Sequence, residues 1–599
     1  MAHPRQRDSL WFLIPAAVLW AGLAVFSNGL ISHLESRDLF LFTADSLVQK
    51  LSLPGGLLAY TASFLTQFLH LPCLGALLLA LIYTAASCYS RRVYGIPDTH
   101  RALQLIPMAL LTAALVHLGY MAFKLKYTGI AFAPALGVIG ATLATDVTRR
   151  LNGNGKRHLW LALWTLAAYP LLGFFALIGT LSSGVYLTVN ESRRTRTGTI
   201  SLTVTAVAAT PFIWYLILGT FRPLNGWLAM FPEFPKGSGI LYYIPYVLLA
   251  LWYVIAPVIA HLLKKGNNKE RTPITLAAIA LFLFFFWCKD QCLNAELRME
   301  RAFEQARWNK ITRIYHNTSR WRWIEPTRLM VMYKDLALIK QGLEGDQAFT
   351  LRNGSREQKS AVRIPLTIQA GRQFYLHYGL PNYCYRWCFE THAETGWSYS
   401  SLRYAARASL LSGNLDTARK FLSILGNTLF YRKWADRQLS LTENPELIAQ
   451  SNEYKDILPL LCQDNWLDND LSMLEEFLSD YFINRTPEDA SPEYWRVALF
   501  LAARKGNPDL FIEFYQQYLS TNHPEHIPTH YQEAIILFAG MSHNTNINRF
   551  PFDDDVRVSY AAYRKYLERN RDMREPDDEF RQYFGRTYYY YWQTLQYKE

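Results

Sequence analysis

The chain has 599 residues, too many for one hydrophobic core, so at least two domains are expected. Its net charge of +12 lies entirely in residues 1–272, which hold 22 Lys and Arg against 9 Asp and Glu; the remainder holds 39 against 40. Because these cations occupy short loops between apolar runs, where they act as a membrane orientation signal, the charge does not indicate nucleic-acid binding.

The seven cysteines do not form a recognisable framework. Cys288 and Cys292 are four residues apart, as are Cys384 and Cys388. This spacing gives poor disulfide geometry within a helix and too few ligands for a metal. We therefore expect free thiols and no metal site, and the cysteines do not identify a redox compartment.

Apolar runs long enough to cross a bilayer recur from the N-terminus onward. The first, Leu10–Ile31, has about 22 residues and follows two arginines, which predicts an uncleaved span rather than a signal peptide. In the next run, Leu39–Leu53, Asp45 and Lys50 interrupt an apolar stripe, the pattern of an amphipathic helix in the membrane interface. Leu57–Leu71 is short and predicts either a short span or a re-entrant segment.

Further spans follow as far as residue 287. Leu159–Val189 is long for one span and short for two, and the charge pattern favours a tight hairpin broken near Tyr169-Pro170. The other predicted spans are Cys73–Ser90, Leu103–Phe123, Ile130–Thr145, Ile200–Phe221, Ile240–Leu263 and Pro273–Trp287. Residues 1–290 are thus predicted to form a polytopic membrane domain with about nine or ten hydrophobic segments.

The distribution of Lys and Arg predicts the orientation. With the N-terminus in the cytoplasm, sixteen of these residues fall on the cytoplasmic side of the short loops and six on the other side. The last span then exits outward, so residues 291–599 are expected outside the cytoplasm. In a bacterium with two membranes, this places the chain in the inner membrane with its C-terminal domain in the periplasm.

From Gln291 the apolar spacing is helical and predicts a soluble domain over 291–599. Two helix–turn–helix units turn at Gly-Asn, one over 401–425 and the other over 494–519, and a weaker one covers 302–315. These units resemble tetratricopeptide-type repeats, although the regular period of that family is not visible. Such repeats usually bind partners on a concave face; a helical domain that only packs on its own membrane half is the alternative.

The predicted fold class is therefore all-α: a polytopic transmembrane helical bundle followed by a soluble α-helical repeat domain. No phosphate-binding loop, dinucleotide fingerprint, zinc-protease motif or serine elbow stands in a convincing context. The best candidate site follows the first span and consists of His33, Glu35, Arg37 and Asp38. Carboxylates at a bilayer edge can act as general bases; ordinary solvated loop charges are the alternative.

This layout resembles membrane glycosyltransferases that use polyprenyl-phosphate sugars. Those enzymes carry an acidic residue in the first outer loop, interfacial helices after it, many spans and often a soluble C-terminal domain. The resemblance implies that Glu35 or Asp38 is the catalytic base. The substrate's lipid phosphate would be held by cations of the outer loops, with the substrate-binding set His33, Arg37, Lys124 and Arg222.

A second resemblance is carried by three short stretches, PGGLLAY at 54–60, FLTQF at 64–68 and LGAL at 74–77. They are similar to an uncharacterised family of polytopic proteins from Bacteroides-type bacteria. This resemblance implies no activity.

Two functions therefore compete. The first is a lipid-linked sugar transferase acting at the outer leaflet, and the second is a non-enzymatic, membrane-anchored scaffold that recruits envelope proteins through its repeats. A transporter is less favoured, because few charges lie within the spans. The lipid bilayer is an expected partner in each case, and the sequence assigns no cofactor.

Overall fold

A computed structural model describes residues 4–126, 129–190, 193–219, 226–265, 272–354, 364–461, 474–485, 487, 489–541, 550–570 and 576–596. Every regular element in these ranges is a helix. The chain divides into two compact units. The first unit comprises Met1–Asp290, Thr391–Arg403 and Leu422–Asp436, and the second comprises Gln291–Glu390, Tyr404–Phe421 and Arg437–Glu599.

Twelve helices lie before residue 291 in the described residues. They are α1 (Pro4–Phe26), α2 (Asn28–Arg37), α3 (Ala44–Leu51), α4 (Gly56–Thr66), α5 (Pro72–Tyr94), α6 (Leu105–Val116), α7 (Ala133–Arg150), α8 (Asn154–Leu172), α9 (Phe174–Asn190), α10 (Arg193–Leu218), α11 (Ile244–Lys265) and α12 (Thr272–Phe286). Short 3₁₀ turns cover Gln67–His70, Asp98–Gln104, Gly119–Phe123 and Ile240–Tyr242.

Sixteen more follow in the described residues from 291 onward. They are α13 (Gln291–Glu304), α14 (Trp308–Ser319), α15 (Arg328–Ile339), α16 (Glu344–Gln347), α17 (Arg372–His377), α18 (Pro381–Thr395), α19 (Tyr399–Leu411), α20 (Leu415–Gly426), α21 (Arg432–Glu443), α22 (Leu474–Asn484), α23 (Pro492–Lys505), α24 (Pro508–Asn522), α25 (Thr529–Met541), α26 (Asp554–Arg569), α27 (Asp578–Phe584) and α28 (Tyr588–Gln596).

The first predicted span is broken. The chain bends by 79° between α1 and α2, at Ser27, whose backbone is not helical. Ser27, Asn28 and Gly29 are all poor helix formers, which favours a break at this point. As a consequence, the stretch interpreted as an outer loop after residue 31 is the continuation of α2.

The amphipathic stretch Leu39–Leu53, which the sequence predicts to be an interfacial helix, contains the helix α3. The Thr43 side chain accepts a hydrogen bond from the Ser46 backbone N–H and begins the helix. None of its residues is buried, and Val48 and Leu51 expose their apolar side chains, as a helix in a bilayer interface would. The short segment that follows forms α4, of 11 residues, and the 3₁₀ turn to His70.

The predicted hairpin within residues 159–189 is confirmed. α8 and α9 pack against each other and are separated by Gly173, three residues after Pro170. Gly173 has a φ of 58°, and a Cβ there would lie 2.6 Å from the Ala229 carbonyl oxygen. Only glycine satisfies both the backbone angle and this close approach.

By length and composition, four helices of the described residues qualify as membrane spans, and six if each of two bent helix pairs is counted as one span. The four are Pro72–Tyr94, Asp98–Val116, Thr195–Leu218 and Ile244–Lys265. The sequence predicted about nine or ten hydrophobic segments. The difference arises where an apolar run is divided into shorter helices, as in α4, or where the helix is only 17 residues long, as in α9.

The helix–turn–helix units predicted after residue 291 are confirmed as helices and turns. Gly413 and Gly506 adopt left-handed backbone angles, with φ of 74° and 70°, at the ends of α19 and α23. The Asn507 side chain then accepts the Leu510 N–H and begins α24. None of the six cysteines in the described residues forms a disulfide; Cys462 lies outside these residues.

Candidate functional site

The residues predicted to carry catalysis lie on α2 or directly after it, and they are buried. As whole residues, His33, Glu35 and Asp38 are 2%, 3% and 5% exposed. They are therefore not solvated loop charges. Burying a carboxylate is unfavourable unless donors surround it, so the partners of these two groups determine what they do.

Glu35 is bound by groups from distant parts of the chain. The Tyr431 hydroxyl lies 2.9 Å from both of its carboxylate oxygens, and His70 Nδ1 lies 3.4 Å from Oε1. The His70 ring stacks on Phe430 with a centroid distance of 4.9 Å. Burial raises the pKa of the Tyr431 hydroxyl well above its ordinary value, and the charge of Glu35 adds to the rise, so this hydroxyl remains a donor.

A cation offsets part of the buried charge around Tyr431. The Arg403 guanidinium lies 5.5 Å from the Tyr431 ring centroid and 5.1 Å from that of Trp434. Both distances are within the range of cation–π contacts. Its charge lowers the pKa of Tyr431, against the effect of burial.

Asp38 accepts three hydrogen bonds. The backbone N–H of Leu39 lies 2.8 Å and the Ser63 hydroxyl 3.2 Å from Oδ1, and the Gly129 N–H lies 2.9 Å from Oδ2. The Lys50 ammonium donates to Ser63 Oγ at 2.8 Å. Lys50 is half-buried, and the partial loss of water around its ammonium lowers its pKa, while the charge of Asp38 acts in the opposite direction.

The chain after Asp38 is held by backbone contacts to later segments of the same unit. The Tyr399 N–H donates to the Asp38 carbonyl at 3.0 Å, and the Tyr399 hydroxyl bonds to the N–H and carbonyl of Phe40. The Phe42 N–H donates to the Asn427 carbonyl at 3.0 Å. We call Glu35, Asp38, His70, Tyr399 and Tyr431 the carboxylate cluster.

The cavity beside Asp38 is small. Its volume is about 30 Å³, which is room for roughly one water molecule. Arg37 and Asp38 both line it, together with Leu34, Thr66, Ala122, Leu125, Gly129, Ile130 and Ala131. A polyprenyl-phosphate sugar does not fit in this space.

Of the three predicted substrate-binding residues that the structure describes, Arg37 lines this cavity and His33 and Lys124 do not. Arg37 lines it and also lies 5.7 Å from the Phe123 ring centroid. His33 packs its ring on Phe123 at 4.3 Å. Lys124 ends the 3₁₀ turn after Phe123, but Leu125, and not Lys124, reaches the cavity. Arg222 lies outside the described residues.

Several residues of this site were missed in the sequence. Tyr431 is 396 positions from Glu35, and no local pattern connects them. His70 gave no signal, because it stands at the end of an apolar segment and outside any recognised motif. In the sequence, Lys50 only interrupts an apolar stripe. A cation on such a stripe is nevertheless a signal, because it indicates an acceptor within the protein.

Within the described part of the chain, no group of three or more His, Cys, Asp and Glu side chains is arranged to hold a metal ion. Residues 4–594 match the model of a family described as Family of unknown function (DUF6057). The protein belongs to this family. No curated protein and no solved structure matches the chain.

Proposed function

We propose that this protein is a polytopic protein of the bacterial inner membrane whose periplasmic, tetratricopeptide-like unit acts as a scaffold for envelope proteins. The buried environment of the candidate carboxylate Asp38 supports a non-enzymatic role. Asp38 has its donors within the protein and adjoins space for about one water. Asp38 therefore stabilises the first unit rather than faces a substrate.

The observation that carries the proposal is an exposed tryptophan pair in the second unit. Trp321 is 42% and Trp323 73% exposed, and their ring centroids are 4.8 Å apart. Arg320 lies over Trp321 at 4.9 Å, and Arg322 stands between the two tryptophans in the sequence. Trp and Arg are the residues most enriched at the centres of protein interfaces, and large exposed aromatics are otherwise unfavourable.

The loop that carries this pair is held in place. Nη1 of Arg352 bonds to the carbonyl oxygens of Ser319, Trp321 and Ile324, at 3.3, 3.1 and 3.0 Å. The tryptophans are thus presented on a preorganised loop, which reduces the entropy lost when a partner binds. This is the property expected of a recognition surface.

The test is photo-crosslinking in cells. A photoreactive amino acid at position 323 is compared with one at Val558, which is 70% exposed in the same unit. We expect a discrete protein adduct at 323 only, and we expect Trp321→Ala to reduce its yield. Adducts with lipid alone, or the same adducts at both positions, would contradict the scaffold and indicate a membrane contact or random collisions.

A second function, a lipid-linked glycosyltransferase, is favoured by one observation. The His70 side chain is 36% exposed whereas that of Glu35 is 4% exposed. A buried carboxylate beside Nδ1 orients an imidazole and leaves Nε2 to act as a general base. In this version His70 is the base, and Glu35 is a positioning residue rather than the base expected from the sequence.

This alternative is tested with the full chain in nanodiscs and a polyprenyl-phosphate hexose. Release of polyprenyl phosphate is measured for the native chain and for His70→Gln, with His316→Gln, an exposed histidine of α14, as the matched control. An enzyme would lose roughly a hundredfold or more of its rate in His70→Gln alone. No release by the native chain, or equal rates in all three, would exclude His70 catalysis on this substrate.

A further inference from the structure

A strongly basic cavity lies at the beginning of the second unit. It is an open surface pocket of about 570 Å³, and its arginine and lysine side chains are exposed to solvent. It is formed by α13, α14, the turn between them and Gln341, which follows α15. The lining residues are Arg298, Ala306, Arg307, Trp308, Asn309, Lys310, Arg313, Ile314, Asn317 and Gln341.

All the charged side chains that line this cavity are positive. Four of the ten lining residues are cations and none is a carboxylate. None of the four has a carboxylate within ion-pair distance among the described residues. Glu304, the last acidic residue of α13, is engaged elsewhere, since it accepts hydrogen bonds from Gln373 and Tyr404, both at 2.9 Å.

The cations repel one another. Burial lowers the pKa of the Lys310 ammonium, and the positive charges of Arg301, Arg307 and Arg298 lower it further. Such repulsion destabilises the empty cluster and is relieved when an anion enters. The cluster therefore favours a bound anion more than isolated surface cations would.

The backbone adds to this field. α14 begins at the cavity without a side-chain cap and without an acidic residue in its first turn, so its positive end is not neutralised there. The Trp308 ring, which packs on Phe303 and His377 at 5.3 and 5.8 Å, gives the cavity a fixed wall. Guanidinium groups beside free helix N–H groups suit a phosphate, whose oxygens accept several hydrogen bonds.

We propose that the cavity lined by Arg298, Arg307, Lys310 and Arg313 binds a phosphate-bearing anion. The ligand is either the headgroup of an anionic lipid or a soluble phosphate compound, since both present the same chemistry. In the sequence, α13 begins five residues after the last residue of α12, the last strongly apolar helix, which makes a lipid a natural source. The proposal does not depend on the scaffold function.

The experiment uses the full chain with two pairs of substitutions that remove the same charge. The test variant is Arg307→Gln with Lys310→Gln. The control is Lys565→Gln with Arg569→Gln, two exposed cations of α26. Arg298→Gln is a second test variant on a different helix, so that a folding defect in one variant does not decide the result.

Two probes distinguish the sources of phosphate. Inorganic pyrophosphate is titrated into the detergent-solubilised chain by calorimetry, and native mass spectrometry records phosphatidylglycerol retained from mixed micelles. We expect the affinity for at least one probe to fall about tenfold for each cation removed and to stay unchanged in the control. Pyrophosphate binding alone indicates a soluble ligand, whereas lipid retention alone indicates a headgroup.

Equal binding by the native chain, both test variants and the control would overturn the proposal, because the cations of the cavity would then contribute nothing to the affinity. Absence of binding of both probes to the native chain would overturn it as well. The proposal would also be overturned if a poly-glutamate peptide binds at the cavity and neither phosphate probe does, since the site would then recognise an acidic protein.

Discussion

At the scale of single residues, Asp38 shows how a buried carboxylate is stabilised. Its three donors come from its own loop, from α4 and from the turn at Gly129. Gly129 has a φ of 70°, and a Cβ there would lie 2.5 Å from Ala62 Cβ. Glycine is thus required where its N–H meets the carboxylate.

Asp38→Asn tests whether this carboxylate is structural. An amide presents donors where the native group presents only acceptors, so at least one of the three hydrogen bonds is lost and a donor faces a donor. We expect a loss of about 1–3 kcal/mol, measured as a lower thermal midpoint of the detergent-solubilised chain. Asp45→Asn, on the exposed face of α3, should leave the midpoint unchanged; equal effects would contradict the structural role.

Glu533 predicts a pH dependence of the second unit. Burial raises its pKa to about 8, although the Tyr588 N–H, which donates to it at 2.7 Å, acts in the opposite direction. In the unfolded chain the group ionises near 4.5. The neutral form therefore stabilises the folded unit fully below pH 4.5, and this contribution is lost as the pH rises through about 8.

Glu533→Gln cannot ionise and should remove this dependence. The free energy of unfolding of this variant, relative to that of the native chain, is expected to grow between pH 5 and pH 8 by up to about 1.4 kcal/mol for each pH unit. Hydrogen exchange of amides in α25 and α28 measures the local stability. Glu513→Gln, an exposed substitution on α24, is the control. A difference in stability between the variant and the native chain that is equal at both pH values would mean that Glu533 is already ionised at pH 5.

At the scale of elements, local chemistry was enough to predict most helices. The hairpin of α8 and α9 followed from its length and the charge pattern, although Pro170 lies inside α8 and the break falls at Gly173. The turns at Gly413 and Gly506 followed from the Gly-Asn pairs. The break at Ser27 was missed, because the apolar residues around it matched a single span in length. Helix propensities are a weak guide against such a run, and the packing that decides the bend involves residues far away in the sequence.

Glycines also decide how closely the helices of the first unit approach. On α7, a Cβ at Gly137 would lie 2.3 Å from the Phe175 ring of α9. Gly137→Ala is therefore expected to cost about 1–3 kcal/mol through overpacking, less the gain in helix propensity. Gly198→Ala, on α10 with nothing within 4 Å of the new Cβ, should be neutral or stabilising by about 1 kcal/mol. Unfolding in increasing dodecyl sulfate measures both; similar midpoints would contradict close packing at Gly137.

At the scale of the whole molecule, the charge pattern predicts which side of the membrane each segment occupies. Alkaline phosphatase, which is active only outside the cytoplasm, is fused after Asp290 or after Arg157. We expect activity for the first fusion and none for the second, because the loop at Arg149–Arg157 is one of the basic loops that the sequence predicts to be cytoplasmic. The reverse pattern would invert the proposed topology.

Sequence patterns did not predict which segments of the chain form the first unit. A change from apolar to charged sequence marks residue 290, yet the first unit also contains Thr391–Arg403 and Leu422–Asp436. These segments read as ordinary amphipathic helices, and nothing local distinguishes them from their neighbours. Their place depends on contacts such as Tyr431 with Glu35 and Asn427 with Phe42. Each contact joins residues that are far apart in the sequence, and tertiary packing must offset the entropy lost when such a long loop is closed.

It follows that residues 1–290 alone are an incomplete unit. Without the later segments, Glu35 loses the Tyr431 hydroxyl, and the backbone of Phe40 and Phe42 loses its partners. Buried polar groups left unpaired cost about 1–3 kcal/mol each. A chain ending at Asp290 should therefore exchange the amide hydrogens of α2 and residues 38–42 far faster than the full chain, whereas one ending at Asp436 should keep their protection. Equal protection in the shorter chain would show that the carboxylate cluster contributes nothing to the stability of the first unit.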